Sequence, residues 1–193
     1  MDKRITIING HPNAESFNNA IAEAYKSGAL SNGAAVREIN IYSLNFNANL
    51  ELGYSKIQPL EKDLVEALES IKWANHLVWI HPVWWGGLPA RMKGFIDRTF
   101  LPGQTFKYQK DSIWWDKLLK GRSARIITTM DQPGWYYSLV YSKPSINQLK
   151  KTTLEFCGVS PVRVTTIGPI KSTDLSKRNA ILKKINSLGI NCK

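Results

Sequence analysis

Hydrophobic positions recur along this chain with two alternating periods. Short β-branched or aromatic runs bounded by Gly, Pro or Asn alternate with longer stretches whose apolar residues return every three or four positions. Arg4-Ile5-Thr6-Ile7-Ile8-Asn9 is the first run, ended by Gly10-His11-Pro12, and reads as a buried strand feeding a loop. Ser16 is placed to cap a helix whose apolar face is Ala20, Ile21, Ala24 and Tyr25 and which Ser31-Asn32-Gly33 stops. Val36 to Ile41 is a second strand. Pro59-Leu60 opens a helix through Leu64, Leu68 and Ile71, and His76 to Ile80 is a third strand that leaves through Pro82-Val83-Trp84-Trp85-Gly86-Gly87. Pro89 suits a helix N1 position ahead of Met92, Phe95, Ile96 and Phe100, and Leu101-Pro102-Gly103 closes that helix. Ser123 to Thr129 is a fourth strand, followed by a loop from Met130 to Tyr137. A helix from Ser145 to Phe156 that ends at Gly158, a fifth strand from Val162 to Ile167 and a last helix from Leu175 to Leu188 complete the series.

Strands separated by helical patterns pair in parallel through right-handed crossovers. The expected fold class is therefore α/β: one domain over residues 1–193, a doubly wound five-stranded parallel sheet with helices on both faces. Residues 104–119, rich in Trp, Tyr and Phe, are an excursion from the alternation. A length of 193 residues suits one domain and excludes two large ones, and 43% hydrophobic with 21% charged residues excludes disordered and collagenous classes. No apolar run approaches the roughly 18 residues of a spanning helix, and Met1-Asp2-Lys3-Arg4 leads into a strand without a signal-peptide core, so a cytoplasmic location is expected. Two cysteines, Cys157 and Cys192, make no disulfide framework. Three histidines without C-x-x-C or H-x-x-x-H spacing supply no metal site.

Charge changes the picture when it is divided. Residues 1–100 hold ten Lys/Arg and ten Asp/Glu, whereas residues 101–193 hold sixteen and five, so the net charge of +11 belongs to the second half. That asymmetry favours an anionic partner, with nucleic acid, an acidic membrane surface, a phosphate-bearing cofactor and a merely solvated basic face as the alternatives. Scattered lysines and the absence of helix-turn-helix, zinc-finger or RNP patterns argue against nucleic acid.

An open parallel sheet binds its ligand beyond the carboxyl ends of its strands, at the switch point of the topology. The least ordinary residues fall there. The first loop, Gly10-His11-Pro12-Asn13-Ala14-Glu15-Ser16-Phe17-Asn18, is neither G-x-G-x-x-G nor a P-loop, yet it ends at a helix N-terminus. Free N–H groups of residues 16–18, the Ser16 hydroxyl, the Asn18 amide and His11 can surround a phosphate there; simple capping by Ser16 is the plainer alternative. In the second loop, Trp84-Trp85-Gly86-Gly87 offers aromatic surface to a planar ligand and lets the backbone approach its edge. The third, Thr128-Thr129-Met130-Asp131-Gln132-Pro133-Gly134-Trp135-Tyr136-Tyr137, combines hydroxyls, a turn and phenols able to stabilise developing negative charge.

These blocks resemble the flavodoxin-like NAD(P)H:quinone oxidoreductases, in particular the bacterial NAD(P)H dehydrogenase (quinone) branch. The resemblance covers most of the chain and rests on Gly10-His11-Pro12 with Ser16-Phe17-Asn18, on Pro82 to Ala90 with Lys93-Gly94-Phe95 and Asp97-Arg98, on Thr128 to Asp131 with Trp135-Tyr136-Tyr137, and on Phe156-Cys157-Gly158. It implies a flavodoxin-like strand order of 2-1-3-4-5 and a tightly bound flavin, FAD or FMN. By that resemblance His11, Ser16, Phe17 and Asn18 hold the phosphate end. Pro82, Val83, Trp84, Trp85 and Gly86 line the isoalloxazine edge, and Thr128, Thr129, Met130 and Asp131 take the other side. NAD(P)H is the implied electron donor, and a quinone or related electrophile is the acceptor in a two-electron ping-pong exchange.

Two features depart from the animal quinone reductases. Their third loop is glycine-rich, and their Tyr is followed by a His. Tyr136 or Tyr137 matches the Tyr as a catalytic group, but no His follows His81, and Lys143 is offered as its substitute. Family members are commonly homodimers with shared active sites, an interface that Phe106, Tyr108, Ile113, Trp114 and Trp115 would suit, a self-packed subdomain being the alternative. A flavin-binding ancillary subunit of a potassium-efflux system, with a membrane transporter as partner, is the rival reading. An electron-transfer flavodoxin is a weaker third.

Overall fold

The computed structural model describes residues 3–192; Met1, Asp2 and Lys193, and with them the first two residues of the strand approach, lie outside the described residues. In chain order the elements are β1 (Arg4–Asn9), α1 (Phe17–Ser31), β2 (Ala35–Asn40), α2 (Lys62–Trp73), β3 (His76–Pro82), α3 (Ala90–Thr99), β4 (Phe106–Tyr108), β5 (Trp115–Lys117), β6 (Ser123–Thr129), α4 (Gly134–Leu139), α5 (Pro144–Asn147), a π-helical segment Gln148–Glu155, β7 (Val162–Ile167) and α6 (Leu175–Ile190). The sheet runs β2-β1-β3-β6-β7 with every pairing parallel. Counted among its own five strands, that is the order 2-1-3-4-5.

Burial explains why the strands read as they do. All seven residues of β3 are buried, as a central parallel strand covered on both faces requires, whereas β2 and β7 at the edges keep exposed positions. Leu77, Trp79, Ala124 and Ile126 pack under α2, α3 and the π-helical segment. Val78, Ile80 and Ile127 pack under α1 and α6 on the other face. Those two helices cross with backbone in contact: a Cβ on Gly28 would stand 2.1 Å from the Asn186 carbonyl oxygen, and one on Gly189 2.1 Å from that of Tyr25.

The excursion folds as an antiparallel hairpin of β4 and β5 between α3 and β6. It is partly self-packed: Phe106 is buried, and Trp115 stacks on Phe156 with ring centroids 4.3 Å apart, while Tyr108, Ile113 and Trp114 are exposed. The structure corrects three local expectations. Pro89 is the residue before the first turn of α3, not its first helical residue. The loop 130–137 contains the start of α4, a six-residue helix too short to show a period and anchored by one buried side chain, Tyr137. Beyond Asn147 the helix widens into π geometry, where the Thr152 and Thr153 hydroxyls both donate to the Gln148 carbonyl and compete with the regular ladder. Among the described residues no helix is long and apolar enough to cross a membrane.

Candidate functional site

β1 and β3 lie side by side while the chain leaves them for opposite edges of the sheet, so a crevice opens where their exit loops part. The first loop is fixed by Asn9, whose Oδ1 accepts from the His11 N–H at 3.1 Å and whose Nδ2 donates to Asn19 Oδ1 at 3.2 Å. Asn13 N–H donates to His11 Nδ1 at 3.0 Å, which leaves Nε2–H as the donor of the neutral ring. Burial holds the His11 pKa below its usual 6.5, with the Asn13 contact opposing only in part. Ser16 caps α1 by accepting from the Asn19 N–H at 3.3 Å. Among the described residues the N–H groups of Phe17 and Asn18 meet no acceptor, so two bare donors stand at the positive end of α1.

The second loop is a tight reversal. Trp84 N–H donates to the Gly87 carbonyl at 3.2 Å and Gly87 N–H to that of Trp84 at 2.9 Å, with φ of 50° at Trp85 and 75° at Gly86, the signature of a type I′ turn. Trp84 meets the edge of His11 at 5.5 Å between ring centroids, which joins the first two loops. Val83 N–H donates to the Thr129 carbonyl at 2.8 Å and ties the turn to β6. From the third loop, Thr129 Oγ1 donates to Asn18 Oδ1 at 2.8 Å, a bond across 111 residues. That bond fixes the Asn18 amide and leaves its buried Nδ2 without a partner.

His11, Ser16, Phe17, Asn18, Pro82, Val83, Trp84, Thr129, Met130 and Asp131 line one cleft of about 280 Å³, joined by Asn13 and Ile170. Trp85, Gly86 and Thr128 are outside its lining: Trp85 is fully exposed at the turn tip, and Thr128, on the other face of β6, is buried with its hydroxyl unpartnered. Asp131 Oδ1 accepts from the Lys171 N–H, and its carboxylate pairs with Lys171 Nζ at 3.3 Å. The two tyrosines part company. Tyr136 is half-buried and edge-on to Trp135 and Tyr141, whereas Tyr137 is fully buried beneath the second loop. Lys143 is exposed ahead of α5 with φ of 55°.

Sequence reasoning missed Asn9, Asn13, Ile170 and Ser145. Only Asn13 carried a signal, as an Asn in the loop before a capped helix. A larger groove of about 1120 Å³ lies between residues 50–60 and the hairpin, but none of its lining side chains has an unpartnered buried polar atom. Among the described residues no three His, Cys, Asp or Glu side chains gather as a metal site would need. The cleft's chemistry is thus a surplus of donors: two backbone N–H groups, the Asn18 amide and the neutral His11 ring. An oxyanion at the head of α1, with an aromatic body along Trp84, fits that surplus.

Residues 3–188 match the protein family described as the flavodoxin-like fold. The chain belongs to this family. A Haemophilus influenzae relative named an uncharacterized NAD(P)H oxidoreductase is 29% identical over 183 residues, spanning 92% of this flavodoxin-like chain and 89% of the relative. The solved NAD(P)H:quinone oxidoreductase from Methanothermobacter marburgensis superposes with a TM-score of 0.83 at 24% identity, covering 100% of this chain and 98% of the other. An FMN-dependent NADH-azoreductase from Bacillus anthracis, solved in complex with FMN, reaches 0.75 at 20% identity, covering 100% and 99%.

Proposed function

We propose that this protein is a flavin-dependent NAD(P)H oxidoreductase that reduces quinones or related electrophiles by two electrons in a ping-pong cycle. The observation that carries the reading is the set of unpartnered donors at the head of α1, beside an aromatic wall, at the switch point of a flavodoxin-like sheet. The activity named for the Haemophilus influenzae relative supports it. A flavin bound there would supply the two-electron redox chemistry that side chains lack.

The chain's own residues bind and orient. Phe17 and Asn18 N–H, Asn18 Nδ2 and His11 Nε2–H would hold the phosphate end, and a neutral His11 does so without bringing a second ionisation. Trp84, Val83 and Pro82 would wall one side of the ring system, with Thr129, Met130 and Asp131 on the other. Tyr136 is the phenol nearest solvent in the third loop and is our candidate for stabilising charge on the acceptor. A homodimer is part of the reading, supported by the exposed Tyr108, Ile113 and Trp114 of the hairpin.

The test is the visible absorption spectrum of the purified protein, followed anaerobically as NADPH and then a quinone are added. A flavin spectrum that bleaches with NADPH and returns with quinone is expected, and identification of the released cofactor decides FMN against FAD. A colourless protein that neither binds added flavin nor oxidises NADPH would refute the proposal.

A further inference from the structure

The type I′ turn at the cleft has a feature its own residues do not account for. Trp85 holds a left-handed backbone conformation that L-residues other than Asn or Asp seldom adopt, yet its side chain is fully exposed and packs on nothing that could offset the strain. The compensation comes from Gly86. Its carbonyl accepts from Tyr137 Oη at 3.1 Å and from the Ser145 N–H at 3.1 Å, while the Ser145 N–H lies 3.0 Å and Ser145 Oγ 2.7 Å from the same Tyr137 hydroxyl.

One proton assignment satisfies every member. Tyr137 donates its single proton to the Gly86 carbonyl, Ser145 Oγ donates to the Tyr137 oxygen, and the Ser145 N–H is shared between the two acceptors. Tyr137 and Ser145 are both fully buried. No proton of this cluster is left over for a bound molecule.

We infer that Tyr137 and Ser145 are positioning residues, a buried lock that holds the Trp84–Gly87 turn in its strained form and so presents its backbone to the flavin. Among the described residues the N–H groups of Trp85 and Gly86 have no acceptor, and the lock keeps both available. This rests on the flavin reading and assigns to Tyr137 a task other than proton donation, which leaves Tyr136 as the phenol able to reach a substrate.

The experiment uses the whole protein with Tyr137→Phe and, because that change could disturb the core, Ser145→Ala as a second variant. Amide hydrogen exchange of the flavin-free protein comes first: the Ser145 N–H should exchange at least tenfold faster in Tyr137→Phe, since a buried partner is lost. Unchanged protection of that amide would overturn the lock, whether or not the protein binds flavin. Titration with FMN and with FAD, read as flavin fluorescence, comes second. Both variants should bind roughly tenfold or more weakly while the rate of flavin reduction by NADPH at saturating flavin, and its pH profile, stay those of the parent. Unchanged flavin affinity with a slower, pH-shifted reduction would make Tyr137 a proton donor and overturn the inference. A parent protein that binds neither flavin, with exchange at Ser145 still accelerated in Tyr137→Phe, would overturn the cofactor assignment and leave the lock standing as a structural fact.

Discussion

Replacing Glu61 with Gln tests how the segment before α2 is held. Arg98 in α3 is fully buried, and its guanidinium donates to the Asn47 carbonyl at 2.6 Å, the Pro59 carbonyl at 2.8 Å, and Glu61 Oε1 and Oε2 at 3.1 and 2.8 Å. Glu61 Oε1 also accepts from the Asn47 N–H at 3.0 Å. Glu61→Gln keeps the volume but leaves a buried guanidinium without its counter-charge. Breaking a buried pair from one side costs about 3–5 kcal/mol. The Glu61 side chain is 34% exposed, so solvent screens part of the loss and roughly 2–3 kcal/mol is expected. For a chain of this length that lowers Tm by roughly 5–10 °C. Burial acts to raise the Glu61 pKa, but the Asn47 N–H and Arg98 outweigh it and hold the carboxyl below its usual 4.5. With the folded value lower than the unfolded one, the pair stabilises at pH above 4.5 and fades as pH falls towards the folded value. Thermal unfolding followed by circular dichroism from pH 3.5 to 8 should show a gap between parent and variant that narrows below pH 4.5. A gap under about 1 °C at pH 7, or one that is flat with pH, would mean that the Glu61–Arg98 pair does not hold this segment.

Three further outcomes follow from other parts of the molecule. Gly189→Ala should lower stability by about 3 kcal/mol in urea unfolding, because its Cβ would meet the Tyr25 carbonyl of α1 and neither helix can retreat from the sheet; a loss under about 0.5 kcal/mol would mean that the helices slide freely. Burial keeps His81 neutral, pushing its pKa down to about 4 against a weaker opposing contact with the Pro82 carbonyl. The unfolded chain then takes a proton below pH 6.5 that the folded chain refuses, so stability falls as pH drops from 6.5 to 4, and His81→Phe should flatten that slope by about 1 kcal/mol per pH unit. An identical slope in parent and variant would remove His81 from the account. Lys143→Ala should slow flavin reduction by NADPH in stopped-flow measurements, and an unchanged rate would end its candidacy as the substitute for the missing histidine.

The strands and the helices that cover them were legible because their information is local. A run such as His76 to Ile80 can bury both faces only as a central strand, and Ser16 advertises its helix by side-chain chemistry. Ten of the thirteen residues that the family resemblance implied around a cofactor line one cleft; strand order alone places their loops at one sheet edge but does not single out those residues. The π-helical widening was not legible, because the sequence from Ser145 to Phe156 keeps an ordinary helical period.

The choice between Tyr136 and Tyr137 shows where local reading ends. Adjacent residues on a six-residue helix differ in direction by about 100°, so one faces the core and the other does not, and nothing in Gly134-Trp135-Tyr136-Tyr137 says which. What decides it lies elsewhere in the chain: the Gly86 carbonyl, 51 residues earlier, and Ser145, eight residues later, supply the partners that make a buried phenol tolerable. Arg98 is the same case, with carbonyl and carboxylate partners 37 to 51 residues upstream. A buried polar side chain is specified by the groups that satisfy it, and when those sit on other elements the position becomes readable only after the sheet order is known. Tyr137 joins the cleft's second loop to the core, so a change there is expected to alter the cleft without touching what it binds, whereas Arg98 holds the segment before α2, outside the cleft.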